Sequence, residues 1–495
     1  MIDNFIAGSL ALFGDPFTIG VFVFGVIGGM LFGAIPGVSM LTLAAILLPF
    51  TASLDPAQGV MLFAVIYCTG TYGGAITAIL FNIPGAPENA PTAFDGYPMT
   101  RKGQSGKAVG AAVLCSAIGG ISSALVMMAA TEPLANWAIS NIGPPEIFAL
   151  VFFGLAVASS VGGRTLWKGW MSVLLGLLIA TIGQDPVGGI NRYNFGFSDL
   201  AAGIAFVPAI LGFFAVSEIF VQAEKKAIGM YEAPKLSLDF PTILELWTHK
   251  IAVVRSILVG FFCGILPGIG ATLAAFMGYG EAVRWSKNKE SFGKGNLEGV
   301  ISSETANNAA TGAAMIPLLA LGLPGGALTA MMVAVFQMHD LEPGPLVFYN
   351  SPDLIWIVFA AMFYANVSIL FIGLIETKTI LYLLKIPFQF LAPMILLLAS
   401  IGSYIGRGLV LDVMVMFISG IMGFLLRRSG YSIPGIVLGI ILGKIGEQNF
   451  AQGMQMVHYD LLEYLSRPIC LLLIVAGSLT LLAGIYKALS FSFKS

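Results

Sequence analysis

Apolar residues come along this chain in runs long enough to enter a bilayer, separated by short polar and charged stretches. The pattern predicts helices at 18–34, 38–50, 57–81, 108–131, 147–163, 169–184 and 199–221. It predicts a second series at 251–266, 270–282, 299–320, 354–376, 387–405, 409–426, 431–446 and 467–486. Two motifs interrupt the runs at matching places. Gly33-Ala34-Ile35-Pro36-Gly37-Val38 recurs as Gly264-Ile265-Leu266-Pro267-Gly268-Ile269, and Asn82-Ile83-Pro84-Gly85 is answered by Gly322-Leu323-Pro324-Gly325. Proline removes a backbone donor and glycine frees the dihedrals, so the helices should break there. Helices broken at matching places in two repeats point to the binding site of a transporter.

Composition sets the medium. Of 495 residues, 57% are hydrophobic and only 10% are charged, against about 25% charged in water-soluble proteins. The chain reads as an all-α polytopic membrane protein. Its 60 glycines suit close helix packing in lipid. A net charge of −2 argues against nucleic acid as a partner. Cys68, Cys115, Cys263 and Cys470 lie in apolar runs and read as small hydrophobes rather than a disulfide or metal set. The first residues carry no basic n-region, so the first apolar segment is expected to be retained.

Charge gives an orientation. No Lys or Arg precedes Arg101, and cytoplasmic loops are enriched in both, so the N-terminus is placed outside. Segments 18–34 and 38–50 then form a re-entrant hairpin from the outer side, with Pro36-Gly37 at its tip. Segments 251–266 and 270–282, with basic residues at both ends, form the counterpart from the cytoplasmic side around Pro267-Gly268. The remaining segments give eleven crossings. Arg407 falls outside and its Gly-Arg counterpart Arg164 inside, the opposition that an inverted repeat requires. The expected division is a first repeat at 1–222, a cytoplasmic linker at 223–250, a second, inverted repeat at 251–466 and a C-terminal helix and tail at 467–495.

Two stretches carry chemistry. One runs from Thr71 to Pro87 and leads to Asn89, Thr92 and Asp95-Gly96-Tyr97-Pro98. The other runs from Ser302 to Gly312, followed by Pro317 and the second break. Both set hydroxyls and carboxamides at membrane depth, and Glu304 is the costliest residue to hold there. Carbonyls and side-chain oxygens at a helix break can coordinate Na⁺, and freed amides at half-helix N-termini can hold a carboxylate. The expected ion ligands are therefore Pro36, Gly37, Thr42, Pro267, Gly268 and Thr272 at the hairpin tips. The expected substrate contacts are Asn82, Gly85, Asn89, Asn307, Asn308 and Gly325. Glu304 offers the alternative of carrying H⁺ as the coupling ion. The competing reading makes the Gly, Ser, Thr and Asn residues helix-packing contacts and puts Glu304 at the cytoplasmic interface; four breaks in register weigh against packing alone. His249, His339 and His458 fall in loops. Neither a P-loop nor a His-Glu-x-x-His pattern is present, so ATP use and zinc hydrolysis have no visible basis and no cofactor is expected beyond the coupling ion. A receptor-independent channel or exchanger is the alternative function. A membrane-embedded enzyme is disfavoured, because no paired acidic or His/Asp cluster recurs at membrane depth.

The two stretches resemble the signatures of the large membrane subunit of the tripartite tricarboxylate transporters. The first signature, Tyr-Gly-Gly, Thr-x-Ile-Leu, Asn-Ile-Pro-Gly and Asp-Gly-Tyr-Pro before a basic residue and Gly, stands here as Tyr72 to Gly103. The second, an acidic residue followed by Ala-Asn-Asn-Ala and later by Pro-Leu-x-x-x-Gly-x-Pro-Gly, stands as Glu304 to Gly325; Pro343-Gly344-Pro345 also fits. The resemblance implies a bacterial inner-membrane carrier of an organic di- or tricarboxylate. It further implies a small membrane subunit and a periplasmic solute-binding protein as partners, coupling to an ion gradient, and an elevator-type motion. Two departures stand out: Glu88-Asn89 follow the first break where small residues are common, and Ser303 precedes Glu304 where proline is common. A carboxylate beside an anion site repels a citrate-like solute unless it is protonated or paired.

Overall fold

The computed structural model describes residues 1–35, 39–161, 165–185, 188–224, 241, 243–266, 270–383 and 388–492. Its helices in chain order begin with α1 (Ile2–Gly14), α2 (Pro16–Ala34), α3 (Met40–Leu47), α4 (Pro56–Phe81), α5 (Ala90–Arg101), α6 (Ser105–Asn141), α7 (Pro144–Val161) and α8 (Leu166–Ala180). A two-residue antiparallel ladder follows, β1 (Gly183–Gln184) with β2 (Asn191–Arg192). Then come α9 (Phe206–Ile210) and α10 (Ser217–Glu224), joined by a π-helical turn at Leu211–Val216, then α11 (Ile243–Thr248), α12 (Lys250–Ile265), α13 (Gly270–Trp285), α14 (Leu297–Leu321) and α15 (Ala327–Met338). The chain closes with α16 (Val347–Asn350), α17 (Pro352–Leu383), α18 (Phe388–Ile405), α19 (Val410–Arg428), α20 (Ile433–Met456), α21 (Leu461–Ser466) and α22 (Pro468–Ser492).

The centre of the molecule is a pair of helices, α4 and α14. Residues 58–80 of α4 and 299–320 of α14 are buried without exception. Neither has a solvent-facing side along this stretch, which is what a helix surrounded by other helices shows. Both end in the same way. Asn82 turns into the left-handed region (φ 58°) and the amide of Ile83 reaches back to the Thr77 carbonyl at 3.3 Å. Gly322 does the same (φ 74°), and the amide of Leu323 reaches the Pro317 carbonyl at 3.1 Å. Each closure satisfies carbonyls that the following Pro-Gly would leave open. Asparagine serves at the first because its short polar side chain tolerates positive φ.

A helical pair lies on each centre, α2 and α3 on α4, α12 and α13 on α14. Glycine makes the contacts close: a Cβ added to Gly33 would stand 2.3 Å from the Gly70 carbonyl oxygen, and one added to Gly260 would stand 2.2 Å from that of Ala306. The tip residues Pro36, Gly37, Pro267 and Gly268 lie outside the described residues, and glycines near them, Gly33 and Gly270, lie close to the two breaks. A Cβ on Gly85, in the first break, would stand 1.9 Å from the Gly33 carbonyl oxygen; Gly270 lies against Gly325 and Gly326 of the second break. Each hairpin end therefore seats on its own half's break. The long helices cross over: α6 lies along α14, α17 along α4, and the two touch.

Several expectations need revision. By length and composition, six described helical stretches, among them α2, α4, α6 and α19, can cross a membrane, and seven shorter apolar helices stand beside them among the described residues. The segment expected at 108–131 runs on through Glu132 and Pro133 to Asn141, a rod of roughly 55 Å at about 1.5 Å per residue. Helices α1, α5 and α15 had no counterpart in the pattern. Charged pairs sort the remaining helix ends into two sets. Lys168 donates to the Ser429 carbonyl at 2.6 Å, and Arg427 and Arg428 pair with Glu218 and Glu224, which gathers one end of α8, α10, α19 and α20. Arg407 pairs with Asp412 and donates to the Gly203 carbonyl at 3.3 Å, and Arg192 pairs with Glu447, gathering the opposite ends. Of the expected linker, Lys225, Lys226 and Lys235 lie outside the described residues, as does Arg164; Lys107 at the start of α6 holds Glu245 of α11 at 2.5 Å.

Two measurements test this architecture. Cysteines placed at Lys289 and Asp340 should react with a membrane-impermeant maleimide from opposite faces, 289 from the cytoplasm; labelling from one face would refute the orientation. Gly85→Ala should lower the melting temperature of the purified protein, since overpacking of a close backbone contact costs about 1–3 kcal/mol. Gly14→Ala, with open space around its Cβ, should leave it unchanged.

Candidate functional site

Along α14 the positions 304, 307, 308 and 311 follow the i, i+3, i+4, i+7 rhythm of one helix face. Glu304, Asn307, Asn308 and Thr311 are fully buried there. Part of this polarity is spent locally. Thr311 donates to the Asn308 carbonyl at 2.8 Å, and Asn308 Nδ2 donates to the Glu304 carbonyl at 3.1 Å and to Asn307 Oδ1 at 2.8 Å. The Glu304 carboxyl faces away from its own helix. Its Oε1 accepts from Thr92 Oγ1 of α5 and from Asn307 Nδ2 at 3.4 Å; its Oε2 accepts from Ser116 Oγ of α6 at 3.0 Å. Three helices thus meet at one carboxyl.

A second carboxyl lies beside it. The chain leaves the first break through a 3₁₀ turn, Pro87–Asn89, which folds Glu88 and Asn89 back into the interior. Glu88 is 5% exposed, and its Oε2 accepts from Thr272 Oγ1 of α13 at 3.4 Å. The Glu88 backbone carbonyl accepts from Asn307 Nδ2 at 3.3 Å, so one amide bridges the two acidic residues. Neither Glu88 nor Glu304 has an ion pair among the described residues. Asn89 donates through Nδ2 to the Thr71 carbonyl at 2.8 Å, while its Oδ1 has no hydrogen-bond partner. Gly74 makes room for that oxygen, since a Cβ there would stand 2.1 Å from it. Asn308 Oδ1 and Ser302 Oγ are likewise buried and unpartnered. Unpartnered buried polar atoms are costly, and these three lie on the first break and α14, the elements that carry the two acidic residues.

One acidic residue nearby has a different task. Asp95 accepts from Tyr279 OH at 2.9 Å and from the amides of Gly295 and Asn296 at 2.8 and 2.7 Å. It ties α5 to α13 and closes the start of α14. The Asp-Gly-Tyr-Pro signature thus holds the arm on which Thr92 stands.

Of the residues expected at the site, Asn89, Asn307, Asn308 and Glu304 come together, and Thr272 joins them through Glu88. Glu304 is fully buried among the surrounding helices. Asn82 sits at the left-handed cap, Gly85 under the first hairpin, and Gly325 against Ala314, each in a backbone position. Thr42 is buried on the first turns of α3. Glu88, Thr92 and Ser116 were not among the expected contacts. The cost of burying Glu304 was the signal that donors such as these had to exist. An apolar groove of about 380 Å³ lined by Phe17, Val21, Phe24, Phe50 and Leu62 contains none of these groups. Among the described residues no group of three or more His, Cys, Asp or Glu side chains is arranged to hold a metal ion.

Apolar helices of crossing length, wrapped around a buried centre of carboxyls and carboxamides beside two helix breaks, define the class: a multi-pass membrane protein built to carry a solute. The chain belongs to the tripartite tricarboxylate transporter TctA family, whose model matches residues 19–438. That span includes both Pro-Gly pairs and both signatures. An uncharacterized 52.8 kDa protein of the TAR-I ttuC′ 3′ region of Agrobacterium vitis is 35% identical over 460 residues, 92% of this chain and 90% of the relative. A second A. vitis protein, from the TAR-II ttuC′ 3′ region, is 35% identical over 218 residues, 44% of this chain and 90% of that relative. No solved structure matches the chain. The family is one of transporters, not enzymes, and its tripartite nature entails partner subunits.

Substitutions separate ligand from scaffold. Asn307→Ala removes the bridge between Glu88 and Glu304, and a lost buried hydrogen bond of about 1–3 kcal/mol predicts a fall in solute uptake of roughly ten- to a hundredfold. Asn82→Gly keeps the left-handed cap and should retain uptake, whereas Asn82→Ala should lose it. Loss in Asn82→Gly as well would make that side chain a ligand.

Proposed function

We propose that this chain is the permease subunit of a receptor-dependent secondary transporter that imports an organic di- or tricarboxylate across the bacterial inner membrane, driven by a cation gradient. The observation that carries the reading is a pair of buried acidic residues with no ion pair among the described residues, where Asn307 Nδ2 joins the Glu304 carboxyl to the Glu88 backbone carbonyl. In a low-dielectric site two carboxylates repel an anionic solute. A cation that neutralises them makes room for it, so cation and solute bind each other's site more tightly, which is the thermodynamic content of symport. Na⁺ is the ion proposed here. Glu88, Asn89 Oδ1, Asn308 Oδ1 and Thr272 supply the hard oxygens such a cation takes, and the hairpin tips around Pro36-Gly37 and Pro267-Gly268 add backbone carbonyls. H⁺ on Glu304 is the second reading, favoured by one feature: that carboxyl is fully buried with no ion pair among the described residues.

The solute itself would sit at the breaks, against the freed amides near Gly85 and Gly325. A periplasmic solute-binding protein would deliver it, with a small membrane subunit completing the assembly; the tripartite family supports both partners. The recurring order of hairpin, buried helix, left-handed cap and Pro-Gly supports an inverted-repeat design. Hairpin ends seated on the breaks would travel with them as one body in an elevator-type step.

Reconstitution in proteoliposomes with both partners tests the proposal. Uptake of a labelled carboxylate should require the solute-binding protein and follow an imposed Na⁺ gradient. Uptake without that protein would favour a channel or exchanger. Uptake driven by a pH gradient alone and abolished in Glu304→Gln would overturn Na⁺ and make Glu304 the proton carrier.

A further inference from the structure

Between α8 and α9 the chain makes a small hairpin that the transport reading does not use. Its base is fixed. The Gln184 amide donates to the Ala201 carbonyl at 2.9 Å, the Asp185 amide to the Ile190 carbonyl at 2.9 Å, and Gln184 Nε2 to the Gly189 carbonyl at 2.9 Å. The Arg192 guanidinium grips both oxygens of Glu447 on α20, at 2.5 and 3.0 Å. From this base four bulky side chains stand out: Ile190 is 68% exposed, Tyr193 56%, Phe195 73% and Phe197 63%. The backbone is bent to display them. Tyr193 and Phe195 both hold positive φ, 52° and 50°, a conformation aromatic residues rarely adopt. Such strain persists where the surroundings impose it and marks a functional segment.

We propose that this hairpin is a bilayer-interface anchor, with the lipid headgroup and upper acyl region as its partner. Three features choose lipid over a protein. The first is continuity: Met171, Leu174 and Leu178 form an exposed apolar stripe on α8 that leads directly into the hairpin. A parallel stripe of Val410, Met414, Ile418, Ile421 and Leu425 on α19 begins beside Arg407, which donates to Gly203 at the hairpin's foot. The hairpin therefore sits where two lipid-facing stripes stop. The second is composition. Aromatic rings interleaved with Asn191, Asn194 and Asp199 suit a boundary that is apolar on one side and wet on the other. The third is charge: Arg192 is paired with Glu447 and Arg407 with Asp412, so two of the three cations at the foot, Lys444 beside Gly203 being the third, are already neutralised and offer little to steer a charged protein face. The anchor fixes the α8, α19 and α20 ends at a set depth, independently of which solute or ion is carried.

The test uses the full chain in nanodiscs of phosphatidylethanolamine and phosphatidylglycerol. All four native cysteines are buried, so a nitroxide label goes to an introduced one. Labels at Phe195→Cys and Tyr193→Cys should collide with lipid-soluble oxygen several-fold more than with a water-soluble nickel chelate, while Lys289→Cys, on an exposed loop, shows the reverse. Nickel-dominated collision at both hairpin positions would overturn the proposal. If nickel access at those positions then fell on adding the solute-binding protein, the hairpin would be a protein dock instead.

Discussion

A backbone amide or carbonyl set free inside hydrocarbon has no water to turn to, and this constraint governs the whole molecule. Two Pro-Gly breaks following buried helices of a membrane protein are permissible only if protein surrounds the groups they free. That is why α4 and α14 are buried along their whole central lengths, why both end in the same left-handed closure, and why each hairpin end lies on a break rather than beside it. Glycine at 33, 85, 260 and 264 is the means, because only a residue without a Cβ lets one backbone approach another so closely. Glycine serves the same end along the helices far from the breaks, as where Gly176 meets Ile436 and Gly212 meets Met416.

The same enclosure makes the polar centre tenable. A carboxyl on a transmembrane helix is tolerated where other helices bring donors to it. Glu304 receives Thr92 from α5 and Ser116 from α6, and Asp95 holds the α5 arm in place so that Thr92 can serve. The site is thus built by long-range packing: its two acidic residues come from opposite halves of the chain and share one amide from Asn307. What remains unpartnered is one side-chain atom each at Asn89, Asn308 and Ser302.

The breaks, the Asn-Asn pair and Glu304 were legible in the sequence because each is a local anomaly: proline or a polar group inside an apolar run. Legibility failed where structure is decided by distant partners. Helix α5 contains Pro91, Gly96 and Pro98 and reads as a loop, yet it is helical because it packs on α4 and is tied to α13 and α14. Ser116 reads as one hydroxyl among several on α6, since a membrane serine most often bonds its own helix, and nothing local marks it as the one that meets Glu304. Glu88 lies beyond the break in sequence, but a single 3₁₀ turn returns it to the centre. Glu132 and Pro133 look like a helix end, while α6 continues because α14 and α17 support it. Helix existence came from periodicity and hydropathy; helix length and the donors around Glu304 depended on tertiary contacts that no window of sequence contains.

The crossing-over of α6 onto α14 and α17 onto α4 bears on how the chain is made. Helix α4 is apolar enough to enter a membrane unaided, and α14 is not among the helices that are. Synthesis proceeds from the N-terminus, so α6 is in place before α14 emerges, and the polar helix meets a ready wall bearing Ser116. Helix α17 arrives much later, and α4, which waits for it, is the one that can wait in lipid. The order of the segments along the gene therefore matches their need for company, and exchanging the two halves would strand the polar helix at the insertion machinery with nothing yet built to receive it.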